Sequence, residues 1–590
     1  MKKSTCILTV YLLLIVYPML LFSQNPCSGS FTEYILNSNH IRASFFPRGN
    51  KFTDGQKAAF LVPYPSSEPL STIYASSIWI AGFDDAGNYK LAAETYPASN
   101  TEDFSVGPLT TIGATYDTLC GKFDRAWSVY REDIQHHTTD YWEDGVIDDT
   151  IPSIFGWPAS GNKFFAHFNG FELPDNGNVG WASFFDTNGN NKYDPDQGDY
   201  PIVYFQEDQF VPDEILWMVF NDVDFGGPSG NKPLRFEIQL TAFAFHCQDN
   251  EILNNTIFNS YKIINRAVSV TDSVFFGTWT DYDLGCSADD YLGSDSIRNT
   301  EFVYNADVED GDYINDCSTG AAIYTGVPPV QSMTYLSQPM HSFIGYQQES
   351  TDPLDKYHIL NGVWGDGHVM RPEGDGFNTT TNLAPTKFLF NGDPRDTASW
   401  SAINALNKGT DVKSVSSVYL GRLDPGDIRE VEMAYMFHHD PKGGHLDQIT
   451  KMYSDVDSLL TMQYKLEQSC TPYALCLDDD CVWPGDFNHD GIVSPYDVLY
   501  WGVMKDRLGG QRNGLISWRG HYAEEWSDSF PNGVNYKHGD GNGDGQINFD
   551  DLDIYGLNYD QSNRFYIKGD QYIPGDDLII SADDIDSTGR

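Results

Sequence analysis

The chain has 590 residues, of which 84 are acidic and 36 are basic, so its formal net charge is −48. Such a strongly negative protein repels phosphate backbones and anionic membrane surfaces, which excludes nucleic acid as a partner and makes cations its natural counterpart. The length exceeds one ordinary core and the aromatic fraction of 14% favours β-structure, so we expect several domains and a mainly β fold.

The first 24 residues have the pattern of a secretory signal peptide. Lys2 and Lys3 precede an apolar stretch from Cys6 to Phe22, and the small polar residues that follow suit a cleavage site. An uncleaved membrane anchor is the alternative. No later apolar run is long enough to cross a bilayer, so we expect the mature chain to be secreted or displayed at the cell surface, without a membrane span.

The cysteines suggest disulfides. Nine are present, and eight remain once Cys6 is removed with the signal, an even number typical of an exported protein. Spacing does not fix the connectivity, but it favours two local closures: Cys286 with Cys317, and one pair among Cys470, Cys476 and Cys481. A zinc site is the alternative at residues 470–481, although no histidine lies at ligand spacing there.

Residues 25–468 predict a large β-rich region that forms one or two β-sandwich-type domains. Short segments with period-two alternation, or with dense β-branched and aromatic residues, recur between turns rich in Gly, Pro, Asn and Asp. The clearest segments are STIYASSIWIAGF, RFEIQLTAFAFHC, TIFNSYKIINRAV, SVFFGTWTDYDL and EVEMAYMFHH. Apolar residues recur at helical spacing over His445–Gln468, which we expect to be a helix that closes this region. A cysteine-rich joint at residues 469–481 follows it.

Two acidic runs near the end of the chain share one pattern. GDFNHDGIVSPYD begins at Gly485, and GDGNGDGQINFDD repeats its Asp, Asn and Gly spacing 54 residues later. Ca²⁺ binds six to eight oxygens, which a twelve-residue EF-type loop supplies from positions 1, 3, 5, 7, 9 and 12, with Gly at position 6 for the turn. The predicted ligands are Asp486, Asn488, Asp490, Ile492 (carbonyl), Ser494 and Asp497 in the first loop, and Asp540, Asn542, Asp544, Gln546 (carbonyl), Asn548 and Asp551 in the second. Asx-rich turns without metal are the alternative.

A helix is predicted after each loop but not before it. YDVLYWGVM follows the first loop and DDLDIYGLNY the second, and apolar Val493 and Ile547 at position 8 allow the loops to touch through a short strand. This duplicated loop-then-helix arrangement, with Asp at position 12, resembles the type I dockerin module. The resemblance implies a small α module at residues 482–560 that binds calcium and docks to a cohesin domain. At loop positions 10 and 11, where dockerins usually carry small hydroxyl residues that contact cohesin, this chain has Pro495–Tyr496 and Phe549–Asp550.

A third acidic run lies within the β-rich region. FFDTNGNNKYDPDQGDYP places four oxygen-bearing side chains at alternate positions, which predicts a lone calcium loop that fastens a connection between strands. Its predicted ligands are Asp186, Asn188, Asn190 and Asp194, with Asp196 and Asp199 beyond. Asn191 stands where glycine is expected, and Asn tolerates the left-handed backbone conformation. An unmetallated Asx turn is the alternative. The acidic run Asp281, Asp283, Asp289 and Asp290 could bind another cation, but solvated turns are the favoured interpretation there.

Most of the mature chain resembles a group of large exported proteins. The motifs that carry the likeness include ASSIWIAGFDDAGNYKLAAETY, DTNGNNKYDPDQGDYP, LDPGDIREVEMAYMF and CVWPGDFNHDGIV, in this order. The group is similar to uncharacterised Bacteroidota cell-surface proteins, many of which end in a type IX secretion sorting domain. The resemblance implies that the protein is secreted and binds calcium, but it implies no particular reaction. Residues 561–590 resemble the first strands of a further β-domain and are too few to fold alone, so we expect the sequence to be a fragment of a longer protein.

Enzyme signatures are scarce. The chain lacks a GxSxG nucleophile elbow, an HExxH metal motif and a GxxxxGK[ST] phosphate loop. Within strands, the paired histidines His136–His137 and His438–His439 would point to opposite faces, so surface histidines are favoured over metal ligands. Two functions stay open. One is a non-catalytic, calcium-binding surface or adhesion protein whose partner is a cohesin-like domain or a surface glycan. The other is a glycoside hydrolase-like enzyme, or a component of a polysaccharide-degrading complex, with two carboxylates about 5–9 Å apart.

Overall fold

The computed structural model describes residues 32–562, except residues 54, 64–69, 97–102, 207, 224–231, 311–325, 347–351, 378–381, 407–408, 474–475, 477–479, 513–515, 517, 519 and 560. The predicted signal peptide, Cys317 and nearly all of the predicted further β-domain therefore lie outside the described residues. Among the described residues, no helix combines the length and the apolarity needed to cross a membrane.

Strands dominate the described residues, so the mainly β fold is confirmed. The strands are β1 (Tyr34–Leu36), β2 (Arg42–Phe45), β3 (Phe60–Val62), β4 (Leu70–Ile73), β5 (Ala75–Asp84), β6 (Tyr89–Ala93), β7 (Ser105–Val106), β8 (Trp127–Tyr130), β9 (Phe184–Phe185), β10 (Tyr200–Pro201), β11 (Val203–Phe205), β12 (Asp208–Phe210), β13 (Glu214–Asn221), β14 (Phe236–Ala244), β15 (Thr256–Asn265), β16 (Thr271–Tyr282), β17 (Asp290–Asp295), β18 (Thr300–Asn305), β19 (Val330–Tyr335), β20 (Met340–Tyr346), β21 (Val412–Leu423) and β22 (Ile428–His438). Each of the five segments singled out by the sequence pattern covers all or most of a strand, namely β5, β14, β15, β16 and β22.

The helices are short, apart from two. They are α1 (Asp117–Cys120), α2 (Arg131–Asp144), α3 (Pro152–Phe155), α4 (Phe165–Asn169), α5 (Glu251–Asn254), α6 (Pro353–Leu360), α7 (Ala402–Ala405), α8 (Asp447–Met462), α9 (Asp497–Met504) and α10 (Phe549–Leu557). Single 3-10 turns lie at Gly121–Phe123, Gly177–Val179, Pro195–Gln197, Ser287–Asp289, Glu467–Ser469 and Tyr536–Gly539. Helix α8 lies within the predicted closing helix, and α9 and α10 follow the two acidic loops as the sequence predicts.

Two large antiparallel sheets form the body of the β-rich region. The nine-stranded sheet has the order β17-β18-β19-β22-β15-β14-β13-β7, with β8 also paired to β13, and the five-stranded sheet has the order β20-β21-β16-β5-β6. The sheet β1-β2-β3-β4 and the hairpins β9–β10 and β11–β12 complete the strands of the described residues. The two large sheets face each other, because the rings of Tyr261 on β15 and Phe276 on β16 lie 5.2 Å apart. The Tyr335 hydroxyl on β19 also donates to the Ser416 carbonyl on β21 at 3.1 Å.

A single hydrophobic core fills this sandwich and extends to its closing helix. One cluster of buried apolar residues runs from Leu36 to Cys470. Helix α8 packs on β19 and β22, and its residues Ile449, Met452 and Val456 are buried at the 3–4 residue spacing of a helix face. Burial of this face explains why the helix forms where the pattern predicts it.

The disulfides agree with the sequence in part. Cys476 pairs with Cys481, which confirms one closure within the cysteine-rich joint. Cys470 pairs instead with Cys247, across 223 residues of sequence. This second bond fastens the end of the β-rich region to the strand layer, a link that depends on the fold and not on local spacing.

The region after the joint has small cores of its own. One cluster contains Phe487, Trp501, Met504, Trp526, Phe530 and Ile547, and another contains Cys476, Cys481, Trp483, Val493 and Trp518. Tryptophans from the segment between the two acidic loops thus supply apolar surface to both clusters. That segment therefore packs as part of the same unit as the loops.

Candidate metal centres

The first acidic loop, Asp486–Asp497, folds its backbone around two buried carboxylates. Asp486 accepts hydrogen bonds from the amides of Asp490 at 3.0 Å and Gly491 at 2.9 Å. At the other end, Asp497 accepts from the amides of Asn488 at 3.0 Å and Ser494 at 2.7 Å. Both carboxylates have 0% exposure. Each carboxylate oxygen has a second acceptor position, so the amide bonds orient these groups while leaving them able to bind a cation.

The second loop, Asp540–Asp551, repeats this network. Asp540 accepts from the amides of Gly543 at 2.8 Å and Gly545 at 3.0 Å, and Asp551 accepts from Asn542 at 3.1 Å and Asn548 at 2.7 Å. The side chains at positions 3 and 5 each accept a hydrogen bond from the backbone amide two residues later. In the first loop, Asn488 accepts from Asp490, and Asp490 accepts from Ile492. In the second loop, Asn542 accepts from Asp544, and Asp544 accepts from Gln546. The oxygen-bearing side chains at positions 1, 3, 5 and 12 therefore take corresponding places in the two loops.

Two left-handed residues shape each of these loops. In the first, φ is +57° at His489 and +86° at Gly491, and in the second it is +79° at Gly543 and +81° at Gly545. Glycine has no Cβ to oppose this conformation, which explains the Gly at position 6. His489 adopts it as a non-glycine residue, and its ring stacks on that of His538 with the centroids 4.1 Å apart.

Burial makes these carboxylates hard to ionise on their own. Burial raises the pKa of Asp486 well above its ordinary value, and the charges of Asp497 and Asp490 raise it further. Burial raises the pKa of Asp497 to about 7, that of Asp540 to about 6 and that of Asp551 to about 7, although backbone amides oppose the shift. A divalent cation would remove this penalty by balancing the crowded negative charge.

The two loops are connected through each other's flanking segments. The sequence suggests that the loops touch through a short strand at position 8, but the amides at that position do not join the two loops directly. Val493 donates instead to the Gln561 carbonyl at 2.9 Å, after α10, and Ile547 donates to the Arg507 carbonyl at 3.0 Å, after α9. Each loop therefore bonds to the segment that follows the other loop's helix.

Arg512 is a contributor that the sequence pattern does not reveal. Its guanidinium donates to the carbonyls of Gly541 at 2.5 Å and Asp540 at 3.2 Å, within the second loop. Its neighbour Gln511 donates through Nε2 to the Asp544 carbonyl at 3.0 Å. The inserted segment between the copies thus clamps the second loop, and no local motif marks an arginine for this contact.

The third loop begins like the other two. Asp186 accepts from the amides of Gly189 at 2.7 Å, Asn190 at 3.2 Å and Asn191 at 2.7 Å. Asn188 accepts from the Asn190 amide at 3.1 Å. The φ angle is +72° at Gly189 and +59° at Asn191, so Asn takes the left-handed position as the sequence predicts.

This third loop closes on a residue outside the predicted ligand set. Asp199, with 0% exposure, accepts from the amides of Thr187 and Asp194, both at 2.8 Å. Burial raises its pKa. The Asp194 carboxylate accepts a hydrogen bond from the side-chain Nδ2 of Asn190 at 2.8 Å. Two extra residues in the 3-10 turn Pro195–Gln197 shift the closing carboxylate from position 12 to position 14, which hides it from a twelve-residue pattern.

The acidic run that begins at Asp281 separates into two groups. In the first, carboxylate oxygens of Asp281, Asp283 and Asp411 lie within 4.8 Å of one another. Lys413 lies 3.4 Å from Asp281 and 2.9 Å from Asp411, so a lysine already supplies a counter-charge there. The second group contains Asp289, which is buried.

The sequence favours surface histidines in strands, and for His137 and His438 this prediction is wrong. His136 and His137 lie on helix α2, and His137 is fully buried. His438 is on β22 but is also fully buried beneath α8, so burial at an element interface overrides the polarity of the side chain. His439 contacts the Val327 carbonyl at 3.1 Å, and the described residues do not bring the two pairs together.

His438 is part of a hydrogen-bonded chain that has the order of a hydrolase triad. Ser332 Oγ lies 2.8 Å from His438 Nε2, and Asp455 Oδ2 lies 2.9 Å from His438 Nδ1. Ser332 and His438 have 0% exposure, and Lys451 pairs with Asp455 at 2.8 Å. A substrate cannot reach a serine buried in this way, so we interpret the chain as an anchor between α8 and the sheet.

Comparison with known protein families finds no family model that matches the chain, and no curated protein matches it in sequence. The geometry of the three loops therefore carries the proposed function.

Proposed function

We propose that this protein is an exported, calcium-binding and non-catalytic surface or interaction protein, with a dockerin-like module at residues 482–560. The observation that carries the proposal is the network shared by the two tandem loops. In both, the first and the last carboxylate are buried and each is oriented by two backbone amides. A turn that only closes its own backbone gains nothing from burying two acids that repel each other.

The donor set supports calcium over a transition metal. The side chains that face the loops are Asp, Asn and Ser, which offer oxygen, and the remaining position is a backbone carbonyl. Zinc and copper sites favour sulfur and imidazole ligands instead. The residues that would hold one ion in each tandem loop are those predicted from the sequence. In the third loop Asp199 would join Asp186, Asn188, Asn190 and Asp194.

Exposed apolar residues beside the loops support an interaction role. Tyr496 and Leu499 on the first half are 57% and 49% exposed, and Phe549 and Leu557 on the second are 63% and 41% exposed. All four lie on α9, on α10 or directly before them, and each helix starts at or just before the last ligand of its loop. A bound ion would therefore fix the direction in which these side chains face a partner, for which a cohesin-like domain or a surface glycan is the proposed class.

Calorimetric titration of the full chain with Ca²⁺ tests the proposal. We expect the double variant Asp486→Asn, Asp540→Asn to lose two bound ions per chain, because each change removes the buried first ligand of one loop. Asp550→Asn is the matched control, since this exposed residue lies within the second loop but outside its ligand set. Equal calcium uptake by the wild type and the double variant would refute the assignment.

A further inference from the structure

A positive charge lies directly against the second tandem loop. The Arg512 guanidinium donates to the Gly541 carbonyl at 2.5 Å and to the Asp540 carbonyl at 3.2 Å, and its Nε atom is buried. Burial lowers the pKa of Arg512 to about 10, so the side chain is still charged at neutral pH. The charges of Asp540 and Asp551 oppose this shift, which places both end carboxylates of the loop within electrostatic range of the guanidinium.

The two loops differ in the charges that surround their first carboxylate. In the second loop, burial raises the pKa of Asp540, and the charge of Arg512 is the strongest influence against that rise. In the first loop, burial raises the pKa of Asp486, and the negative charges of Asp497 and Asp490 raise it further. The first carboxylate of the second loop thus has a cation as its strongest electrostatic neighbour, whereas that of the first loop has two anions.

We propose that Arg512 acts as an internal counter-cation of the second loop, so that this loop binds calcium more weakly than the first. The inference rests on the proposed calcium binding of the tandem loops and adds the order in which they fill. A guanidinium stabilises the metal-free carboxylates but repels a divalent cation bound among them, and calcium affinity follows the charge of the ligand set. The first loop therefore fills first as the calcium concentration rises.

The same arginine also helps to hold the second loop, and this effect alone would favour binding, since a rigid site costs less to order. Two backbone hydrogen bonds hold that loop without the guanidinium. The Arg512 amide donates to the Gly543 carbonyl at 3.0 Å. The Gly509 amide donates to the Gly545 carbonyl, also at 3.0 Å. Loss of the guanidinium would leave these bonds in place and remove a whole unit of charge, so the electrostatic effect prevails.

Two chains that each keep a single tandem loop test the order of filling with Arg512 unchanged. Asp486→Asn with Asp199→Asn leaves the second loop, and Asp540→Asn with Asp199→Asn leaves the first. In calorimetric titration of these full-length chains with Ca²⁺, we expect the first loop to bind about tenfold more tightly than the second, or better. Equal affinities, or a tighter second loop, would overturn the inference while the proposed function stands. If neither chain binds calcium, the proposed function fails with it.

Substitution of Arg512 assigns the difference to charge. In the chain that keeps the second loop, Arg512→Gln should tighten calcium binding by about tenfold, whereas Arg512→Lys, which retains the charge but not the fork of donors, should not. Unchanged or weaker binding by Arg512→Gln would overturn the proposal, and weaker binding by both variants would show that the guanidinium acts as a clamp. In the chain that keeps the first loop, Arg512→Gln should leave calcium affinity unchanged. If that affinity falls, the substitution has disturbed the module, and the comparison of the two loops with Arg512 unchanged decides the matter.

Discussion

The buried carboxylates of the tandem loops predict that calcium and pH act together on stability. Burial raises the pKa of Asp497 and of Asp551 to about 7 in the metal-free protein. An acid whose pKa is higher in the folded than in the unfolded state stabilises the fold while it is protonated, and that stability is lost as pH rises through the folded pKa. The calcium-free protein should therefore lose stability between about pH 4 and about pH 7. Calcium should prevent the loss, because it binds the deprotonated ligands.

The loss of stability of the calcium-free protein between about pH 4 and about pH 7 can be calculated from the pKa shifts of the loop carboxylates. An aspartate ordinarily titrates near pH 4, so a folded pKa of about 7 corresponds to about 4 kcal/mol for each of the two closing carboxylates. Asp540, with a pKa of about 6, contributes about 3 kcal/mol in the same way. These values are upper limits, because a charged loop can open towards water. Even half of one contribution, about 2 kcal/mol, is a large part of the stability of a small unit.

Tryptophan fluorescence provides the assay. Trp501 is buried in the core of the module, and its indole nitrogen donates to the Asn548 carbonyl of the second loop at 3.0 Å, so its share of the emission from the chain's 13 tryptophans reports on that loop. We expect thermal melts with and without calcium to coincide near about pH 4 and to diverge increasingly up to about pH 8. Buried acids elsewhere, such as Glu301 with a pKa of about 7, affect both curves equally and cancel in the difference.

The matched control is the double variant Asp497→Asn, Asp551→Asn. Each asparagine keeps one of the two oxygens that accept from the loop amides but does not titrate. The pH dependence of the difference between the two melting curves should therefore decrease, and the part that remains belongs to Asp486 and Asp540. A calcium effect in the wild type that is constant across the pH range would show that these carboxylates do not carry the coupling.

Four further substitutions, one of them with a control variant, give distinct outcomes. Asp490→Ala should weaken calcium binding in the first loop and leave the second filled, and Asp544→Ala should do the reverse; titration calorimetry distinguishes one lost site from two. Asp199→Asn should remove the ion of the third loop, as counted by native mass spectrometry, whereas Asp196→Asn, which changes a neighbouring carboxylate paired with a lysine, should not. His438→Gln breaks the buried hydrogen bonds of His438 to Ser332 and to Asp455 on α8 and should destabilise the β-rich region by about 1–3 kcal/mol in denaturant unfolding, without altering calcium stoichiometry.

Local patterns predict most elements of this fold because they depend on local physics. The alternation in TIFNSYKIINRAV and the apolar spacing of His445–Gln468 each report one buried face, and β15 and α8 form there. Helix α2 lacks such a stripe and is polar along most of its length, so its sequence does not reveal it. The Cys247–Cys470 disulfide likewise follows from the arrangement of the sheets, which spacing along the chain does not encode.

The same distinction holds for the metal centres. The tandem loops are predicted residue by residue, because an EF-type loop draws its ligands from one short segment. Asp199 escapes the pattern because two residues lengthen its loop, and Arg512 escapes it because its contact with Gly541 is made by the tertiary fold.

The arrangement of the tandem loops makes them one cooperative unit. Val493 in the first loop bonds to Gln561, which follows the second helix, and Ile547 in the second loop bonds to Arg507, which follows the first. An ion that orders one loop therefore also orders the segment to which the other loop must bond. If the loops bind calcium as proposed, we expect the first ion to bear most of the ordering cost and the second to bind to a module that is already partly formed. Metal binding would then be coupled to the folding of both halves, which would give a physical reason for a chain of net charge −48 to carry the loop in duplicate.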